Sequence, residues 1–191
     1  MISSSTLLGA YRAGFFPMSI DGEVRWFSPE ARGIVPLDGF RVSKWLRRVL
    51  RQGRFEMAVD RAFDRVVAAC ASRADPAGSW IDAEIARSYG ALHRAGFAHS
   101  VETWRDGRLV GGLYGVTLRG AFFGESMFHT VTDASKVALA ELVDRLRARG
   151  YVLLDIQWLT PHLQRFGAVE VSRRRYLELL AGAMQEDCRF V

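Results

Sequence analysis

Cysteine and proline are both scarce in this chain. Its two cysteines, Cys70 and Cys188, cannot build a disulfide framework, and no CxxC pair exists. That points to a reducing compartment, the cytoplasm. Five prolines in 191 residues exclude an extended proline-rich chain. No apolar run reaches the length that crosses a bilayer, so no membrane partner is expected. The opening MISSSTLLGAYR lacks the basic stretch and long apolar core of a secretory signal. HExxH, GxSxG, a Walker A loop and GxGxxG are all missing, and GGLYG at 111–115 has the wrong spacing for the last. His93, His99, His129 and His162 make no close pair in sequence, so neither a metal nor a cofactor is expected.

What is present is an ordinary globular composition, 49% hydrophobic and 25% charged. The length suits one domain, or a domain with a small appendage. A net charge of +5 and a pI of about 9.7 favour polyanionic partners through counterion release.

Turn signals crowd the first thirty-odd residues: Gly14, Phe16-Pro17, Asp21-Gly22, Ser28-Pro29, Gly33 and Pro36. With one short helix near Thr6–Arg12 and little other regular structure, residues 1–35 read as a small N-terminal lobe. Residues 36–191 read as the main domain. RVSKWLRRVLR at 41–51 has helical periodicity. Ser43 is its cap, and Val42, Trp45, Leu46, Val49 and Leu50 form its apolar stripe. Lys44, Arg47, Arg48 and Arg51 form the other face, with no acid between Arg41 and Arg54. Such a face is either solvated or a contact for phosphates.

Further on, FEMAVD reads as a strand. Arg61–Cys70 and Asp82–Ala95 read as helices around a loop at 72–79, and Gly96 ends the second. Three antiparallel strands follow, turning at Asp106-Gly107 and Arg119-Gly120. Then come a helix from Ala134 to Arg149, a strand around Asp155, a helical piece at Pro161–Phe166, a strand at Val169–Ser172 and a helix from Arg175 to Met184. This order predicts an α+β fold on one mixed central sheet, laid out like N-acyltransferase folds. Gly111, Gly112 and Gly115 inside a strand predict a bulge or a close backbone approach.

The strand YVLLDIQWL places Asp155 and Gln157 among apolar neighbours. A period of two puts them on one face, with Ile156 opposite. Burying a carboxylate there costs several kcal/mol (rough scale) unless it is paired. Glu125, in FFGESMF, is a second acid in an apolar setting. Two acids in one cleft could receive a cationic group and orient an amine, and His162 is near enough in sequence to line the same cleft. Trp80 could stack on a base or anchor the core.

AYRAGFFPM (10–18), WFSPEARGIVP (26–36), GSWID (78–82), LHRAGFAHSVETW (92–104), LVGGLYGV (109–116), FFGESMF (122–128), DASKVALAELV (133–143), LLDIQWLTPHL (153–163) and FGAVEVSRRRY (166–176) occur in one order. In that series they resemble the bacterial leucyl/phenylalanyl-tRNA–protein transferases, from about Leu8 to about Leu180. The resemblance implies a GCN5-related N-acetyltransferase-like catalytic domain behind the small lobe, without acetyl-CoA or metal. It implies transfer of Leu, Phe and possibly Met from aminoacyl-tRNA to proteins with N-terminal Arg or Lys, which marks them for degradation. A monomer is expected.

By the same resemblance, Asp155 orients or polarises Gln157, which helps the acceptor amine attack the ester, and Glu125 stands near an amino group. Leu113 and Met127 match the donor side-chain pocket, with Leu142 beside it. Trp80 matches a tryptophan near the terminal adenosine, and Arg47 and Arg48 are expected on tRNA phosphates. The chain resembles a short form with departures: Met18 replaces a frequent tryptophan, Leu113 a methionine, His129-Thr130 a Ser-Arg-like pair, and Ser172 a proline. Two other readings are weaker. An acyl-CoA transferase needs a Q/R-x-x-G-x-G/A loop before its helix, where this chain has HTVTDASK. A plain RNA-binding module leaves Asp155, Gln157 and Glu125 without a task.

Overall fold

The computed structural model describes residues 1–72 and 79–191, so most of the loop read at 72–79 lies outside the described residues. The chain opens with helix α1 (Ser4–Arg12), capped by the Ser3 hydroxyl. Strands β1 (Phe16–Ile20) and β2 (Glu23–Phe27) then pair as a two-stranded hairpin. Asp21 and Gly22 turn it, both at positive φ (54° and 78°), as a type I′ turn requires. The sequence pattern missed this hairpin because β2 is mostly exposed and does not alternate. Residues 31–35, grouped with the lobe on turn signals, form β3 (Ala31–Val35), a strand of the large sheet.

That sheet has seven strands in the order β4-β5-β6-β7-β8-β3-β9. They are β4 (Glu56–Val59), β5 (Ala98–Arg105), β6 (Arg108–Leu118), β7 (Ala121–His129), β8 (Leu153–Gln157) and β9 (Val169–Ser172), with β3. Turns at Asp106-Gly107 and at Arg119 join β5, β6 and β7 in an antiparallel run. One pairing is parallel: β7 meets β8 only from Ala121↔Leu153 to Phe123↔Asp155. Beyond Phe123 the two strands lose their register, and β7 continues to His129 along β6 alone. The sheet therefore opens at the point where Glu125 and Gln157 stand.

Helices cover both faces. α2 (Lys44–Arg51) and α5 (Ala134–Ala148) share one core with Val35, Val101, Phe122 and Leu154. The other core contains residues of α1, α3 (Phe63–Ala71), α4 (Ala83–Arg94) and α7 (Arg173–Ala183) packed with Tyr114, Phe123 and Leu153. The short α6 (Pro161–Gln164) follows β8. Caps explain several starts: Ser43 accepts from Leu46 N, Asp82 from Ile85 N, and Ser172 from Arg175 N. Gly111 answers the strand-glycine expectation, since a Cβ there would stand 2.5 Å from the Ala134 Cβ. Its absence seats the start of α5 on β6.

On α2 the apolar stripe is narrower than its periodicity suggests. Leu46 and Val49 are buried, whereas Trp45 is 58% exposed and Leu50 is also out. The Trp45 indole donates to Asp133 Oδ2 (2.8 Å), which ties the basic helix to the start of α5.

Candidate active site

A cavity of about 730 Å³ occupies the opening between β7 and β8. Its walls include Met18 and Trp80 from the N-terminal half, Leu113 from β6, Met127 from β7 and Leu142 from α5. Glu125 and Gln157 supply polar groups to the same space, and His162 lines it as well. Asp155, Arg47 and Arg48 do not line it. The two arginines are exposed on α2, and Asp155 is completely buried next to the cavity.

Glu125 is held by hydroxyls. Tyr11 can donate to its Oε1 (2.7 Å) and Tyr89 to its Oε2 (3.0 Å), and the two phenol oxygens also touch each other, so two phenol protons are shared among three contacts. The Gln157 amide Nε2 donates to Oε1 at 3.1 Å. Burial pushes the Glu125 carboxyl from 4.5 up to about 7, with Asp155 adding to the rise and the tyrosine hydrogen bonds opposing it. Burial and the neighbouring carboxylate hold Tyr11 and Tyr89 well above the usual phenol range, so both stay donors.

Asp155 is held by a cation. Arg32 Nε donates to Oδ1 (2.9 Å) and Nη2 to Oδ2 (2.7 Å), a forked ion pair in which the side chains are 1% and 0% exposed. Tyr176 donates to Oδ2 at 2.8 Å. The Arg32 guanidinium lies between aromatic rings, 4.6 Å from the centre of Phe16 and 4.4 Å from that of Tyr176. The remaining contact of Asp155 is with its neighbour: Oδ1 accepts the Gln157 backbone N–H at 2.9 Å. Asp155 and Gln157 therefore work at different depths, the amide in the cavity and the carboxylate beneath it.

At one rim of the cavity Lys136 pairs with Asp133 at 2.6 Å. Burial would raise the Asp133 carboxyl, but Lys136 and the Trp45 indole more than offset it and hold it below the usual range. His162 is held low by burial and by Lys136, Arg165 and His129 around it. Outside the cavity, folding joins histidines that are apart in sequence. Asp60, His93 and His99 present ligand atoms within 4.8 Å of one another. Hydrogen bonds already engage them: His93 Nδ1 with Ala98 O (2.8 Å), His99 Nδ1 with Asp60 Oδ2 (2.7 Å) and His99 Nε2 with Gly96 O (3.2 Å). The group reads as a clasp between α4, β5 and the end of β4.

Arg32, Tyr176, Tyr11 and Tyr89 went unnoticed in the sequence. The available signal was Arg32 itself, a cation directly before the apolar Gly33-Ile34-Val35.

A cavity joining an apolar wall to a half-buried acid lifted to about 7 and to an amide has groups that can bring an amine to an acyl group, the chemistry of an aminoacyltransferase. Two family models match the chain: leucyl/phenylalanyl-tRNA protein transferase over residues 34–181, and the N-terminal domain of the same enzyme over residues 1–30. A leucyl/phenylalanyl-tRNA–protein transferase of Gloeobacter violaceus is 50% identical over 99% of this chain and 97% of its own length. One of a Ruegeria species is 51% identical over 100% of this chain and 90% of its own. A Staphylococcus epidermidis protein of unknown function covers 90% of this chain and 65% of itself at 10% identity, with a TM-score of 0.48, too distant to define the fold. The chain belongs to the leucyl/phenylalanyl-tRNA–protein transferase family.

Proposed function

We propose that this protein transfers Leu, Phe or Met from aminoacyl-tRNA to the N-terminal Arg or Lys of acceptor proteins, so marking them for degradation in the cytoplasm. The observation that carries the reading is the cavity between β7 and β8, apolar along Leu113, Met127 and Leu142 and polar at Glu125 and Gln157. We also assign the large sheet to the GCN5-related acetyltransferase type, in which acyl donors sit at such an opening.

An aminoacyl ester is already activated, so the enzyme's main task is to place an uncharged amine beside the carbonyl. Glu125, with a pKa of about 7, is poised to take a proton from that amine near neutral pH. Gln157 supplies the positioned amide, and Asp155 acts through it. Asp155 already carries Arg32, which leaves Glu125 as the carboxylate an incoming ammonium group meets in the cavity. The apolar wall accepts Leu, Phe and Met, since a methionine-containing pocket adapts its shape, and it rejects polar donors by their desolvation cost. Trp80 and Met18 face the terminal adenosine. The tRNA then runs from the rim at Asp133 and Lys136, past Trp45, to the phosphate-binding face at Arg47 and Arg48.

Purified protein is to be mixed with labelled Leu-, Phe- or Met-tRNA and a peptide beginning with Arg. Label should move to the peptide. No transfer above background with intact tRNA would refute the assignment.

A further inference from the structure

The strand that carries Gln157 ends in an uncommon backbone turn. Gln157 has a φ of 59°, a left-handed value that non-glycine residues seldom adopt. Across it, Trp158 N donates to Ile156 O at 2.7 Å, closing a three-residue γ-turn of the rare positive-φ form. Such a turn persists only where its surroundings hold it. Two features do so here. Gly33 of β3 lies against it so closely that a Cβ would stand 2.7 Å from the Trp158 carbonyl carbon. Asp155 Oδ1 accepts the Gln157 N–H. The second hold is only as firm as the carboxylate, and the carboxylate is gripped by Arg32 through two hydrogen bonds.

Arg32 also reaches the other arm of the site. Its Nη1 donates to Gly14 O (3.1 Å), in the turn that follows α1. Helix α1 carries Tyr11, whose hydroxyl holds Glu125 Oε1. One arm runs from Arg32 through Asp155 to the Gln157 amide, and the other from Arg32 through Gly14 and α1 to Tyr11. Both end on the same oxygen, Glu125 Oε1.

We infer that Arg32 is a positioning residue for transfer: by gripping Asp155 it keeps Gln157 in the γ-turn that aims the amide at Glu125. This rests on the transferase reading above. Arg32 does not line the cavity, so it acts through Asp155 and not on substrate. Its planar fork supplies two parallel hydrogen bonds that a lysine ammonium cannot reproduce.

The test is the kinetics of Phe transfer from Phe-tRNA to an Arg-starting peptide. The proteins are wild type, Arg32→Lys, Tyr176→Phe, Asp155→Asn and the Arg32→Lys/Asp155→Asn pair, each checked for folding by circular dichroism. Arg32→Lys should lower kcat by about 100-fold, the size expected for a misplaced catalytic group, with KM for Phe-tRNA within about threefold. Tyr176→Phe removes one donor from Asp155, keeps the ring on Arg32, and should lower kcat by about fivefold. In the Asp155→Asn background Arg32→Lys should cost less than about threefold more, because the two residues act as a unit. A folded Arg32→Lys protein with wild-type kcat overturns the inference, as do losses that multiply in the double variant. If Arg32→Lys does not fold, Tyr176→Phe decides, and wild-type kcat there overturns it too. Inactive wild-type protein would instead defeat the transferase reading itself.

Discussion

The cavity contains a half-buried carboxylate and the layer beneath it a fully buried one, and the two are treated oppositely. Beneath the cavity, Asp155 faces a guanidinium and a phenol, and its charge is paired. In the cavity, the hydrogen-bond donors on Glu125 among the described residues are neutral, two phenols and an amide, and burial pushes its pKa up to about 7. Both carboxylates are well hydrogen-bonded. The partner's charge separates them: Asp155 is clamped in an ion pair, whereas Glu125, lifted to about 7, can exchange a proton near neutral pH.

The sharpest way to break this contrast is Glu125→Gln, which keeps the shape and removes the base. Single-turnover transfer should fall by roughly 10²–10⁴-fold, the range of general acid–base contributions. Near-normal transfer would leave Glu125 only a hydrogen-bonding role. Asp155→Asn attacks the other side by leaving Arg32 uncompensated in the interior, and urea unfolding should show a loss of about 3–5 kcal/mol. A loss below about 1 kcal/mol, the scale of an exposed pair, would mean that the clamp is no firmer than a surface salt bridge.

The pH dependence refines the comparison. Glu125 is protonated below about 7 and a carboxylate above it, so the transfer rate should rise with pH through that value, and Glu125→Gln should flatten the rise. Stability should move the other way. The folded pKa lies above the unfolded one, so the folded state holds the extra proton between 4.5 and about 7 and is favoured at the acid end. Unfolding free energy should drop by about 3 kcal/mol across that window as pH rises, from the linkage of roughly 1.4 kcal/mol per pKa unit. A flat profile would put Glu125 in a more solvated setting than its tyrosines allow. The smallest effect is expected outside both layers. Reversing Arg47 and Arg48 to Glu should weaken tRNA binding, lower the salt slope by about 2, and leave the pH profile unchanged. An unchanged slope would return α2 to the solvated-face reading.

Much of the fold was legible because its signals are local. The Asp106-Gly107 turn, the Ser43 and Asp82 caps and the length of α5 all follow from residues within a few positions of one another. The β1–β2 hairpin was not, because a mostly exposed strand carries no alternation to read. Trp45 misled for a related reason. Its position fits the apolar stripe of α2, but the indole serves a hydrogen bond to Asp133 instead of the core. In the site, Glu125 and Gln157 could be picked out as polar residues in apolar strands. The tyrosines that hold Glu125 lie 36 and 114 positions away and the arginine that holds Asp155 lies 123 away, distances no pattern of spacing encodes.

The sequence by itself determined the element order from α2 onward, the family and the residue types that could do the chemistry, since these rest on periodicity, caps, turns and a series of motifs. The tertiary structure alone decided that Asp155 meets a cation and that Glu125 is lifted to about 7. Asp155 and Glu125 look alike as letters. Their difference arises because β3 carries Arg32 against one, while α1 and α4 bring only neutral phenols to the other. A buried carboxylate takes its character from the charge that folding places beside it.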